Sequence, residues 1–266
     1  MNGVFLLGGL AAQGLHKMAQ LDGKVALVTA AGGGIGQATA WLLAERGASV
    51  VAADIDKDGL DETQRKSPSR TMAVMRADAT RLEDAEAAVG KAMTEFGGLD
   101  ILVNVVGGSR PGKTVVEMTL EEWTRWVTLN LTSTFLMCKA AIPNMSIRGG
   151  GSIVNISSGA GVRGMTKNPA YVAAKGGVVA LTQALALDHA VDGIRANCIA
   201  PGAILTPLMR RNRGQDVIDY LAKSNLVGRI GAPNDIAATV AFLCSDDGAF
   251  INGELINVDG GRPANI

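Results

Sequence analysis

Short, largely apolar stretches recur along this chain, most of them separated from the next by a stretch with helical spacing. Val25–Thr29, Ser49–Ala53, Thr71–Ala77, Ile101–Val105, Ser152–Ile156, Ile194–Ile199 and Leu255–Val258 read as strands. The first, VALVT, is a continuous apolar run, which suits a strand covered on both faces, the condition of a parallel sheet. Ile35–Arg46, Leu82–Phe96, a stretch from Thr119 towards Met145, Tyr171–Asp192 and Asn234–Cys244 read as helices. Gly47 is a suitable C-cap for the first, and Thr119 with Glu122 forms a capping box. The alternation predicts an α/β fold: a doubly wound parallel sheet of about seven strands, with right-handed crossovers and helices on both faces. The 266 residues fit a single domain of this kind over 21–266. Residues 206–231 are the least regular and read as an insertion before the last helix, a lid over the substrate.

Composition narrows the function. Lys+Arg and Asp+Glu are equal at 25 each, so nothing electrostatic points to nucleic acid or an anionic membrane. Three scattered cysteines and two histidines are too few for a disulfide framework or a metal site. No apolar run reaches the length of a membrane span. Residues 1–20 read as an extension, with Met18 offering a second start. Its apolar stretch Val4–Ala12 lacks the preceding basic residues of a secretory signal, so a cytoplasmic protein is expected. The alternative is a short apolar arm packing on a neighbouring subunit.

The first strand runs into Thr29-Ala30-Ala31-Gly32-Gly33-Gly34-Ile35-Gly36 and then a helix. Glycines there let the backbone approach a pyrophosphate, and the helix N-terminus offers free N–H groups and partial positive charge. A glycine cluster alone may only make a tight turn. Strand, turn and helix in this order supply the context of a Rossmann-type dinucleotide site. The second strand ends at Asp54, whose carboxylate can accept from ribose hydroxyls and repels a 2′-phosphate. The glycine turn holds no Arg or Lys to offset that repulsion, so NAD is expected over NADP. Asp54 can instead be a helix-capping residue at a strand end, with Asp56 meeting the ribose. Asp78, after the third strand, is placed to reach the adenine edge; an isolated Asp there is more often a turn residue.

The chemistry clusters later. Tyr171 and Lys175 lie four apart on one helix face. A nearby ammonium stabilises tyrosinate and lowers the phenol pKa, which makes a tyrosine usable as a general acid/base. Ser158 follows the fifth strand, where a hydroxyl can hold a carbonyl oxygen, and Asn130 sits mid-helix, an unfavourable place for Asn. Each residue alone is unremarkable. The combination carries the argument.

From Leu21 to about Pro263 the chain resembles the short-chain dehydrogenase/reductase family. Thr29 to Gly36 matches its TGxxxGxG motif, and Leu99–Gly107 resembles its NNAG strand. Asn130, Ser158, Tyr171 and Lys175 fall on its catalytic tetrad. Asn197–Thr206 matches NxxxPGxxxT, and Ile256–Gly261 matches its last strand. The resemblance implies that Tyr171 exchanges a proton with the substrate oxygen and that Ser158 hydrogen-bonds that oxygen. It implies that Lys175 binds the nicotinamide ribose, that Asn130 holds a water linking Lys175 to solvent, and that Ile204 and Thr206 meet the carboxamide. It also places Ala79 and Asn104 on the cofactor surface, and implies a homotetramer paired through the long helices. Two positions depart from the pattern. Ala30 replaces a motif glycine, and Val105 replaces the second Asn of NNAG.

The expected activity is NAD-dependent interconversion of a small secondary alcohol and its ketone. Residues 108–111, 159–169 and 207–226 are expected to wall the pocket, with Val162, Met165, Leu208 and Met209 as apolar walls and Arg110, Arg163, Lys167 and Arg210 as polar options. The run Arg210-Arg211-Arg213 suits a phosphate or carboxylate, although such runs are more often solvated faces. The alternatives are an NADPH-dependent 3-oxoacyl-acyl-carrier-protein reductase and a non-catalytic sensor or scaffold. Asp188, His189 and Asp192 late in the long helix disfavour the first, and the intact tetrad disfavours the second.

Overall fold

A computed structural model describes residues 20–261. Most of the N-terminal extension, including Met18, and the last five residues lie outside them.

The seven expected strands are all present: β1 (Val25–Thr29), β2 (Ser49–Asp54), β3 (Met72–Arg76), β4 (Ile101–Asn104), β5 (Gly151–Ile156), β6 (Ile194–Pro201) and β7 (Leu255–Val258). They form one parallel sheet in the order β3-β2-β1-β4-β5-β6-β7. The order reverses between β1 and β4. In open α/β sheets a ligand crevice opens at that switch point, outside the carboxyl ends of the strands.

Helices α1 (Gly34–Glu45) and α10 (Pro233–Cys244) cover one face of the sheet, through Leu43, Ile236 and Val240. Helices α3 (Leu82–Phe96), α5 (Ser133–Ile147) and α7 (Pro169–Asp188) cover the other, through Val89, Met137 and Leu185. α7 is long and apolar enough to cross a bilayer by length and composition alone. Its buried residues Val178 and Leu185 place it instead against the sheet.

Between α3 and α5 lies α4 (Leu120–Val127), opened by the expected Thr119–Glu122 capping box. Thr128–Thr132 continues it as a π-helical turn into α5. Four helices were not anticipated: α2 (Lys57–Arg65), α6 (Gly159–Arg163), α8 (Pro207–Asn212) and α9 (Gln215–Ser224). The last two make the expected irregular insertion largely helical. α2 and α9 bury few residues, Leu60 and Thr63 in one and Ile218 in the other.

Ala30 adopts φ 52, in the left-handed region where an L side chain is strained. Gly36 packs so closely on the Ala30 carbonyl that no side chain fits there. Ala30→Gly is therefore expected to stabilise the protein by roughly 0.5–1 kcal/mol, the relief of strain exceeding the added unfolded-state entropy. Thermal unfolding should show this as a rise of about 1–4 °C in Tm. An unchanged or lower Tm would mean that the turn holds Ala30 without strain.

Candidate active site

The glycine turn stands at the switch point. Gly33 is the N-cap of α1, and no side chain caps that end. An added Cβ at Gly33 would meet nothing within 4 Å, so the turn is open towards the crevice. Gly34 has φ 57 and faces Thr206 and Pro207. Thr29 locks the neighbouring strand: its hydroxyl donates to the Val103 carbonyl at 3.3 Å and accepts from the Val105 amide at 2.9 Å.

A cavity of about 280 Å³ opens beside the turn, with Ala53, Asp54, Asp78, Ala79 and Val106 on its walls. Asp54 Oδ2 accepts from the Gly32 amide at 2.8 Å, and Oδ1 accepts from the Asp56 amide at 2.9 Å. Each oxygen keeps a further lone pair. Asp56, the other ribose candidate, caps α2 by accepting from Gly59 at 3.2 Å. Asp78 Oδ1 accepts from the amide and hydroxyl of Thr80, so it is both a turn residue and a cavity residue.

A second cavity of about 840 Å³ shares Gly107 with the first. Ser158, Tyr171, Lys175, Ile35, Ile204 and Thr206 all line it. Four elements deliver them, α1 bringing Ile35. Ser158 closes the turn after β5 and N-caps α6, accepting from the Ala160 amide at 3.1 Å. α7 brings Tyr171 and Lys175 from one face. Ile204 pairs with Gly231 in an isolated bridge, and Thr206 caps α8, accepting from Met209 at 3.2 Å. Asn197 behind them is buried and donates to the Ile251 carbonyl, anchoring the end of β6.

Lys175 is buried, and its Nζ donates to the Ile156 carbonyl at 2.8 Å. Burial lowers its pKa to about 8. Ser157 fixes the same turn of helix by donating to the Lys175 carbonyl at 2.7 Å. Tyr171 departs from expectation. Burial pushes its phenol above the ordinary value, and only the hydrogen bond with Ser158 pulls it back. Desolvation disfavours tyrosinate, and the Lys175 ammonium is turned to a backbone carbonyl. The phenol is thus set up first as an acid.

Asn130 and Asn104 do not line either cavity. Asn130 sits in the π-helical turn, fully buried. It donates to the carbonyls of Gly108 and Trp126, both at 2.9 Å, and accepts from the Gly108 amide at 3.0 Å. A Cβ on Gly107 would collide with Asn130 Oδ1 and Lys175 Nζ, so the two side chains flank that glycine. Asn130 thereby positions the floor of the cavity. Asn104 donates to Asn155 at 2.8 Å, and Asn155 to Thr182 at 2.9 Å. This buried row ties β4 to β5 and α7, so the polar knitting that Val105 lacks is supplied one residue earlier.

The cavity walls differ in part from those expected. Gly108–Pro111 and Leu208, Met209 and Arg213 line it, as does Trp126, which sequence reasoning passed over. Val162, Arg163, Met165 and Lys167 do not. Val162 and Met165 are exposed, and Arg163 forms an ion pair with Asp259 at the end of the sheet. The three buried cysteines, held at pKa values of about 11 to 12 by desolvation, are inert thiols.

An uncapped helix N-terminus at the switch point of a doubly wound sheet, a carboxylate at the next strand end and a phenol–amine pair in the adjoining cleft define a dinucleotide-dependent oxidoreductase. The protein-family model described as "Enoyl-(Acyl carrier protein) reductase" matches residues 29–262. The chain belongs to the short-chain dehydrogenase/reductase family. It is 40% identical over 243 residues to cis-4-hydroxycyclohexanecarboxylate dehydrogenase of Sinomonas cyclohexanicum, covering 91% of this chain and 97% of that one. It is 38% identical over 243 residues to cyclohexanol dehydrogenase of Acinetobacter sp. (strain SE19), covering 91% and 95%. The crystal structure of levodione reductase superposes with a TM-score of 0.85 at 32% identity, covering 91% of this chain and 98% of the other.

Proposed function

We propose that this protein is an NAD(H)-dependent dehydrogenase that interconverts a small alicyclic secondary alcohol and its ketone. The observation that carries this reading is the convergence of Ser158, Tyr171 and Lys175 on one cavity that also meets Ile35, Ile204 and Thr206. The activities named for the two relatives support the alicyclic class.

The residues present fit the cofactor. The uncapped N-terminus of α1 suits the pyrophosphate, the smaller cavity an adenosine with Asp54 at its ribose, and the larger one a nicotinamide beside Ile204 and Thr206. When bound, the nicotinamide gives or accepts the hydride at the carbinol carbon. Ser158 donates to the substrate oxygen and holds it against Tyr171. In ketone reduction the Tyr171 hydroxyl gives its proton to that oxygen. In alcohol oxidation the tyrosinate takes it back. Lys175, near its own pKa at neutral pH, restores the tyrosine proton and binds the ribose. Helix α8, whose Leu208 and Met209 line the cleft, serves as its lid.

The acyl-carrier reductase alternative finds no support at the end of α7. Asp192 there accepts from His189 and Ser146, and Asp188 is exposed, so this surface offers no basic patch to an acidic carrier protein. A homotetramer is part of the proposal. Ala173, Ala180, Ala184 and Leu187 form an exposed face of α7 where a partner helix can approach closely. Light scattering giving a monomer at micromolar concentration would refute this part.

The test is a panel of cyclic and open-chain secondary alcohols assayed with both cofactors. NAD reduction on cyclic alcohols is expected. Activity confined to acyl thioesters with NADPH would overturn the reading.

A further inference from the structure

The charges around the large cavity are one-sided. Arg110, Lys175 and Arg213 line it, and no Asp or Glu does. Lys175 is buried and engaged at the Ile156 carbonyl. The other two are exposed at the mouth, and neither makes a hydrogen bond or ion pair among the described residues. The acidic residue nearest in effect to Arg110 is Glu122, which is already taken by Lys113 at 2.6 Å.

The two arginines arrive on separate elements. Arg110 stands on the segment after β4 that Asn130 clamps at Gly108. Arg213 follows α8. α8 begins with Pro207 beside Gly34 at the glycine turn, and Arg213 lies at the opposite, C-terminal end of that helix. Apolar side chains share the lining with the arginines and the proton-transfer groups: Trp126 from α4, and Leu208 and Met209 from α8. Their chemistry suits an apolar ring, with a polar oxygen at Ser158 and Tyr171.

We infer that Arg110 and Arg213 form a subsite for an anionic substituent, a carboxylate, carried on the ring of the substrate remote from the carbinol carbon. This deepens the function proposed above and rests on it for the identity of the ring. Guanidinium forks bind carboxylates in a bidentate manner, and such charge-assisted hydrogen bonds are about twice as strong as neutral ones. Unpaired arginines in a cavity without acids also attract anions over neutral analogues. The neighbouring Arg211 does not line the cavity and has no part in the subsite.

The test uses ligands that cannot be turned over. Cyclohexanecarboxylate and cyclohexanecarboxamide are titrated calorimetrically into the protein, with and without saturating NADH. The wild type is expected to bind the carboxylate at least about tenfold more tightly than the amide. Arg110→Gln and Arg213→Gln should each reduce that preference, and the double variant should abolish it, while Arg211→Gln keeps it. NADH affinity should stay unchanged in all three single variants. Equal binding of the two ligands, no binding of either, a preference that survives in the double variant, or loss of NADH affinity in its place would each overturn the subsite. Turnover separates this inference from the reading on which it rests. If the carboxylate preference holds but no cyclic alcohol is oxidised, the proposed reaction fails and the subsite stands. If cyclohexanol is oxidised with no carboxylate preference, the reaction stands and the subsite fails.

Discussion

Tyr171→Phe is expected to lower kcat by about 10²–10⁴-fold, the usual contribution of a positioned general acid/base. The substitution keeps the ring and its packing and removes only the proton. Cofactor binding, measured by NADH fluorescence titration, should change little, because the ribose is assigned to Lys175. The pH dependence has a definite sign. Burial raises the Tyr171 phenol, so the protonated form persists through neutral pH and ketone reduction needs no activation there. Alcohol oxidation needs tyrosinate, so its rate should climb with pH from neutral into the alkaline range. Lys175 titrates at about 8, and its loss of charge should add an inflection near that pH. Lys175→Arg fixes the charge and should remove the inflection in whatever activity is left. A kcat for Tyr171→Phe within a few-fold of wild type would take the proton transfer away from this residue.

The second large effect concerns the choice of cofactor. kcat/KM with NAD is expected to exceed that with NADP by about 100-fold or more, since juxtaposed like charges cost several kcal/mol. Asp54 already holds the Gly32 and Asp56 amides, so its carboxylate is fixed at the cavity wall and cannot turn away from a 2′-phosphate. Arg76, which faces Asp54 in register on β3, donates to the Ile55 carbonyl and does not line the cavity. Asp54→Ser removes the charge and keeps a short hydroxyl. It should bring the two cofactors within about tenfold of each other, with a stability loss of about 1 kcal/mol from weakened amide bonds. A wild-type preference for NADP would end the ribose assignment.

The strands were legible because each is a short, largely apolar stretch, and the inner strands of the parallel sheet are buried on both faces. Ser158, Tyr171 and Lys175, which the fold brings to one cavity, stood out in the sequence because their types and spacing are unusual in combination. What escaped has physical reasons. α2 is a polar helix with Leu60 as its one buried apolar residue, and the short stripe of α9, Val217, Ile218 and Leu221, lies within a stretch otherwise irregular in sequence. The part played by Asn130 depends on a π-helical turn and on the backbone of Gly108, which another element delivers. Nearness to Ser158 in sequence suggested residues 159–169 as cavity wall. Ser158 caps α6, however, and that helix carries Arg163 to Asp259 and leaves Val162 exposed. Trp126 reads in sequence as one more residue of an amphipathic helix, and only the fold brings it to the cavity. The raised Tyr171 pKa was hidden for the same reason: spacing shows that Lys175 shares a helix face, but not that its ammonium is spent on the Ile156 carbonyl.

The most direct measurement is a single-turnover experiment with saturating NAD and cyclohexanol deuterated at the carbinol carbon, run on wild type and Tyr171→Phe. The wild type should deliver the deuterium to the nicotinamide with a primary isotope effect, and the variant should bind NAD yet transfer the label at least about 100-fold more slowly. Undiminished transfer in the variant, or no label on the nicotinamide in the wild type, would contradict the account.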